Sequence, residues 1–393
     1  MSDGPLLMIP GPIEISPGVR AAYQGPPPSH VSPQILEAFG SSLEQMRRVW
    51  CAPQDSQPFI VAGSGTMAME MAVTNLVDPG QSVLVVNTGY FSDRMTMMLR
   101  ARGAEVSQVR AEPGRVPTSQ DVEQALALGS FAAVFATHVD TSTGVRVDPK
   151  SICLAANDHG ALSVFDGVCA TVGERFEMEA WGADVYLTSS QKAIGLPCGL
   201  ALMVVSRQAM HARGQLKTSV PLCLDWHQWL PIMEAYQDRR PSYFSTPATN
   251  LVAALDVGLK EILGQRLGQY RAMEACFRNH ERVAGAMRSA WESMGLSLFP
   301  FSESIAANTL SAVLYPEGIG PELLGRIKAR GVVVAGGLYP GRKGDYFRVG
   351  HMGYATTQDD MIVRTVQAIE SALVESGLPV SGLGVAACRE ALG

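Results

Sequence analysis

The run from 184 to 205 constrains this chain most. Residues 185–188, Val-Tyr-Leu-Thr, read as a buried strand. They lead into small polar residues, then Lys192, then a Gly-Leu-Pro-Cys-Gly turn region at 195–199 and a second apolar run at 200–205. A lysine between two buried strands costs free energy unless it is neutral, paired or covalently bonded. A desolvated lysine with a lowered pKa is what Schiff-base chemistry uses. The alternative is a solvated lysine on an idle loop tip.

Phe165-Asp166-Gly167 lies upstream. Residues 161–165 form another apolar strand candidate, with Asp166 at its C-terminal end. Pyridoxal phosphate enzymes need a lysine for the aldehyde and a carboxylate for the pyridinium nitrogen. Strand-Asp followed by strand-Ser-Gln-Lys supplies both in one βαβ-like unit. On these residues the chain resembles the class V pyridoxal phosphate aminotransferases, most of all the alanine–glyoxylate and serine–pyruvate aminotransferases.

Further signals stand along the chain in the family's order. Gly63-Ser64-Gly65-Thr66 follows a strand candidate at 58–62 and opens a helix candidate at 67–76. A glycine-rich turn at a helix start presents free N–H groups to an anion, although an ordinary strand-to-helix turn has the same pattern. The resemblance implies that Ser64, Gly65 and Thr66 hold the cofactor phosphate. A strand candidate at 82–86 ends near Tyr90 and Phe91, before a helix candidate at 92–101. Phe91 matches the family's ring-stacking aromatic, commonly tryptophan, with Tyr90 beside it. The polar string from Thr137 to Gly144 follows a strand candidate at 131–136. It resembles the family's His-x-Asp/Glu-x-Ser-Thr-Gly signature, which implies a cofactor contact for Thr141 and a structural place for His138. The resemblance adds Val168 and Gln191 to the cofactor's surroundings.

Pro10-Gly11-Pro12 begins an extended arm, and prolines at 26–28 continue it. By resemblance Gly11 lies near the substrate carboxylate, and the arm crosses to a partner subunit. Ser32-Pro33 reads as a helix cap with proline at the first helical position. Tyr243 and Thr246 match positions that reach the neighbouring subunit's cofactor phosphate, so the enzyme is expected to be a homodimer with shared sites. Arg348 stands inside a strand candidate, where an unpaired guanidinium is costly and a carboxylate fits its fork. A structural ion pair is the alternative, while the resemblance assigns Arg348 to the substrate's α-carboxylate.

Strands alternating with helices indicate an α/β fold with a mainly parallel sheet. The resemblance, which covers nearly the whole chain, implies fold type I. An arm and large cofactor-binding domain are expected at 1–265, and a smaller α+β C-terminal domain at 266–393. The net charge of −6 offers no general attraction for nucleic acid, and no apolar stretch approaches a membrane span. The N-terminus lacks a signal-peptide pattern, and seven scattered cysteines indicate neither disulfides nor a metal site. A reducing cytoplasm is the expected home.

The expected reaction is ping-pong transfer of an amino group from an L-amino acid, alanine or serine, to glyoxylate or pyruvate. Lys192 and Asp166 are the expected catalytic residues and pyridoxal 5′-phosphate the cofactor. Phe91 in place of tryptophan, and Cys198 where relatives often carry proline, bear on substrate choice. Two other readings stay open: a transaminase for an unusual amine, such as pyridoxamine or an aminophosphonate, and a pyridoxal phosphate lyase such as a cysteine desulfurase.

Overall fold

The computed structural model describes residues 4–393; residues 1–3, at the start of the arm, lie outside the described residues. The main sheet has seven strands. In chain order they are β1 (Gln57–Ala62), β2 (Ser82–Asn87), β3 (Glu105–Arg110), β4 (Ala133–Thr137), β5 (Leu162–Asp166), β6 (Val185–Ser189) and β7 (Leu200–Val205). Their spatial order is β1-β7-β6-β5-β4-β2-β3. Every pairing is parallel except the two made by β7, which runs antiparallel to both β6 and β1.

Strands β4 to β7 are buried at every residue. A strand covered on both faces is mainly apolar, which is why these four read as largely apolar runs, with polar residues such as Thr137, Asp166 and Ser189 at their C-terminal ends. Strand β3 has no counterpart among the expected strands. It is the sheet edge, with sequence Glu-Val-Ser-Gln-Val-Arg and no buried residue. A solvated edge needs no apolar face and gains from charge.

A second sheet joins Leu310–Leu314, Tyr346–Gly350 and Ala335–Gly336, with Tyr346–Gly350 in the middle. Its core holds Val283, Met287, Trp291, Val313, Phe347 and Ile369. The helix Ala272–Ser293 joins this core to the larger one, to which its first turns contribute Met273, Cys276 and Phe277. The expected division at 265–266 falls just before that helix.

The arm stitches the two cores together. Leu6–Leu7 pairs in parallel with Val332–Val333, and Leu6 and Met8 are buried in the second core. A helix, Pro17–Gln24, then interrupts the arm. Ser16 caps it, accepting from the Val19 N–H at 3.1 Å. At the other end, the weakly patterned tail contains a further helix, Leu383–Leu392. Its first turn is capped by a distant group: Glu370 accepts from the N–H groups of Gly382 at 2.7 Å and Val385 at 3.0 Å. No local cap precedes the helix, so the sequence around it carries no start signal.

Candidate active site

Parallel strands β2, β4, β5 and β6 share one C-terminal edge, where open α/β sheets bind ligands. Thr137 on β4 is in register with Asp166 on β5, and Asp166 with Leu187 on β6. The antiparallel β6–β7 pair then closes through the turn that carries Lys192. That turn is tied by its own bonds: the Leu196 N–H donates to the Ser190 carbonyl at 3.0 Å, and the Ser190 hydroxyl to the Pro197 carbonyl at 2.7 Å.

Lys192 Nζ donates to the Pro10 carbonyl of the arm. Gly11 follows with φ +97°, and a Cβ there would lie 2.6 Å from Lys192 Cδ and 2.8 Å from Nζ. Only glycine combines that backbone angle with that approach. Burial lowers the Lys192 pKa and the Arg348 charge adds to this, while Cys169 and Asp166 act the other way.

Asp166 is buried, and burial pushes its carboxyl up to about 6. The Val168 N–H, donating at 2.9 Å, draws it down, as do the charges of Lys192 and Arg94. Arg348 is held by two backbone carbonyls, with Nε donating to Gly336 at 2.8 Å and Nη1 to Thr141 at 3.1 Å. Its Nη2 makes no hydrogen bond among the described residues, so one edge of the fork is free for a carboxylate. Thr141 therefore meets Arg348 through its carbonyl.

Strand β1 runs into the Ser64 turn. Ser64 caps the helix Gly65–Leu76, its hydroxyl accepting from the Met67 N–H at 3.2 Å. A Cβ at Gly65 would lie 2.8 Å from Val168 Cγ2 and 3.2 Å from Ser189 Oγ. Ser189 Oγ and Gln191 Oε1 are buried without a hydrogen-bond partner. Buried polar atoms are normally paired. An orphaned Ser189 hydroxyl beside a helix N-terminus, at the sheet end that carries the half-buried Lys192 and the buried Asp166, fits a phosphorylated aldehyde cofactor.

Tyr90 and Phe91 start the helix Tyr90–Ala101, their ring centroids 5.4 Å apart and nearly perpendicular. Asp140 sets that helix start. Its carboxylate accepts from the N–H groups of Phe91 at 3.1 Å and Ser142 at 2.9 Å, and from the Ser142 hydroxyl at 2.5 Å. The polar string thus anchors the aromatic pair, and sequence reasoning missed this use of Asp140. His138 is buried: its Nδ1 is 2.9 Å from the Tyr186 hydroxyl, and burial pushes its pKa down to about 3. It is neutral at working pH.

Tyr243 and Thr246 stand apart from this cluster. Both are exposed, their hydroxyls are 3.4 Å from each other, and the Tyr243 ring lies 5.7 Å from that of His30. Two further groups escaped sequence reasoning. Arg94 donates to Thr66 Oγ1 at 3.0 Å, and its position one helical turn after Phe91 was the available signal. Cys169 is buried beside Asp166 and Lys192, and burial pushes its thiol up. Among the described residues no group of His, Cys, Asp and Glu is arranged for a metal ion, and no helix is long and apolar enough to cross a membrane.

The comparisons with known proteins agree with this geometry. The profile of the family described as Aminotransferase class-V matches residues 28–267. Alanine–glyoxylate aminotransferase 1 of Saccharomyces cerevisiae is 36% identical over 371 residues, covering 88% of this chain and 91% of that protein. L-aspartate–glyoxylate aminotransferase of Paracoccus denitrificans is 31% identical, covering 98% and 95%. Among solved structures, the ureidoglycine–glyoxylate aminotransferase of Bacillus subtilis superposes with a TM-score of 0.91 at 22% identity, covering 100% of this chain and 98% of that one. With a profile matched over more than half its length and relatives above 30% identity along most of it, the chain belongs to the class-V aminotransferase family, pyridoxal phosphate-dependent enzymes of fold type I.

Proposed function

We propose that the enzyme moves the amino group of a small L-amino acid, alanine or serine, to glyoxylate or pyruvate in two half-reactions. The observation that carries this reading is the convergence of Lys192, Asp166 and Arg348, the last two both acting electrostatically on the first. Glyoxylate appears in the names of both the yeast and the Paracoccus relatives, whereas the donor differs between them. That supports glyoxylate as acceptor more strongly than any one donor.

Each residue has a proposed task. Lys192 would hold the cofactor's aldehyde through Nζ and, once its amine is free, would carry a proton away from the substrate's Cα. Its lowered pKa favours the neutral amine that this step requires. Asp166 keeps the ring nitrogen protonated. The bound cofactor supplies an electron sink for the pair left on Cα. Ser64, Gly65, Thr66 and Gln191 hold the phosphate, Val168 and Phe91 flank the ring, and Thr141 contacts its edge. Arg348 grips the α-carboxylate, with Gly11 beside it. The buried Cys169 thiol, pushed up rather than down, is poorly suited to the nucleophilic role a desulfurase needs.

We further propose a homodimer in the cytoplasm. Tyr243 is 65% exposed and is offered to a partner subunit's phosphate site together with Thr246. The scattered cysteines suit a reducing compartment.

The test is a panel of half-reactions. Alanine, serine and aspartate are mixed in turn with the reconstituted enzyme, and loss of the visible cofactor band is followed. Glyoxylate or pyruvate should then restore the band, and initial-rate plots at several acceptor concentrations should be parallel. Intersecting lines would overturn the two-step scheme. Release of ammonia or sulfide without an acceptor would favour a lyase.

A further inference from the structure

Arg94 makes no ion pair among the described residues, although its charge reaches the buried Asp166. Its guanidinium carbon lies 5.1 Å from the centroid of the Tyr90 ring and 5.2 Å from that of Phe91. Nη1 donates to Thr66 Oγ1 at 3.0 Å and Nη2 to the Tyr90 hydroxyl at 3.2 Å. Asp93, next in sequence, is taken by Arg110, and no carboxylate pairs with Arg94 among the described residues. The charge is therefore held by two hydroxyls and two ring faces, and directed at the first turn of the helix Gly65–Leu76.

A second observation at that turn is independent of Arg94. Ser189 Oγ is buried, unpartnered and 3.2 Å from where a Gly65 Cβ would stand. The side chains of the turn and its neighbours, Ser64, Thr66, Ser189 and Gln191, are all neutral. A phosphate dianion there needs a positive charge, and the helix end supplies only a partial one. By accepting a hydrogen bond from a guanidinium, Thr66 Oγ1 turns its own O–H outward and polarises it towards an anion.

We propose that Arg94 is a positioning residue that supplies the counter-charge for the cofactor phosphate through Thr66, and so selects the phosphorylated cofactor over its dephosphorylated form. This rests on the reading of Ser64, Gly65 and Thr66 as the phosphate cradle. It also sets the orientation of the aromatic pair, because the same guanidinium lies over both rings.

The experiment compares pyridoxal 5′-phosphate with pyridoxal as ligands of the cofactor-free enzyme, following the visible band that forms at Lys192. Arg94→Gln should weaken pyridoxal phosphate by about tenfold to a hundredfold, as expected for loss of a charge-assisted contact, and pyridoxal by less than about threefold. Thr66→Val should give a similar selective loss, and the double variant little more, because the two act in series. Arg94→Lys keeps the charge without the fork and should fall between wild type and Arg94→Gln; it carries the test if the glutamine variant does not fold. Equal losses for both ligands would mean that Arg94 only orders Tyr90 and Phe91, and would overturn the proposal, as would unchanged binding of pyridoxal phosphate. A wild-type enzyme that binds both ligands equally would instead overturn the cradle reading. A wild type that prefers the phosphate, with the preference intact in Arg94→Gln, would overturn the role of Arg94 alone.

Discussion

Asp166 ties stability to pH and, through cofactor binding, to activity. Its carboxyl is pushed up to about 6, chiefly by burial, in the protein without cofactor. An unfolded aspartate titrates near 4. The folded state therefore holds this proton more tightly, and the stabilisation is full below about 4 and lost as pH rises through about 6. Asparagine cannot ionise. Cofactor-free Asp166→Asn should thus be more stable than wild type at pH 8 by roughly 3 kcal/mol, with the gap closing towards pH 4. If Asp166 faces the ring nitrogen as proposed, bound cofactor reverses the sign, because the charge is then paired with a ring proton. Proton abstraction should slow by about 3 kcal/mol of barrier or more. Melting curves across pH, beside half-reaction rates, check both signs; a pH-independent melting difference would refute the buried-charge account. Arg348→Lys keeps charge but loses the fork and the bonds to Gly336 and Thr141. Catalytic efficiency with α-amino acids should fall, up to the ~2–5 kcal/mol typical of losing a partner in a buried charged pair, while amines without a carboxylate change little. Similar efficiencies for both would make Arg348 structural. Asp166 and Arg348 stand out in the sequence as charges within strand candidates, and Lys192 as a charge in the turn between two of them. Asp140 and the Thr66 contact of Arg94 do not stand out, since those partners lie 49 and 28 positions away, although the place of Arg94 one turn after Tyr90 and Phe91 is visible.

At the scale of elements, legibility followed burial. The four central strands announced themselves because both faces are covered, while the polar edge strand β3 and the tail helix, capped by Glu370, carried no local signal. The helix Pro17–Gln24 did carry one: Ser16-Pro17 is the same cap and first-position proline as Ser32-Pro33. The surrounding prolines led to an extended reading instead. The arm before it matters for the site, since its Pro10–Gly11 stretch touches Lys192. Gly11→Ala adds left-handed strain of about 1–2 kcal/mol to a clash with Lys192 Cδ at 2.6 Å. The arm should shift there rather than the sheet, because the Leu6–Leu7 pairing is a separate anchor. The expected result is a much slower, weaker visible band on adding cofactor, with only a small fall in melting temperature. A wild-type rate of band formation would show that the arm does not guide the lysine.

The whole molecule poses the question of what Tyr243 and Thr246 do. Within one chain they touch each other and His30, not the Lys192 cluster. A tyrosine 65% exposed on a loop gains nothing from solvent that a smaller polar residue would not. If it serves a partner's phosphate, then every active site takes Lys192 from one subunit and these hydroxyls from the other. A mixture test separates this from service within one chain. One protein carries Lys192→Ala, and the other carries Tyr243→Phe with Thr246→Ala; each alone should be inactive or nearly so. In a hybrid dimer with shared sites, one site combines an intact Lys192 with intact hydroxyls from its partner, and the other combines both defects. Random exchange of equal amounts should then restore about a quarter of wild-type activity, since half the dimers are hybrid and half their sites are whole. If the hydroxyls serve their own chain, no site in the hybrid is whole and nothing is restored. Subunit exchange is verified first with differently tagged proteins. Absence of restored activity despite proven exchange, or an active monomer in sedimentation, would refute the shared site.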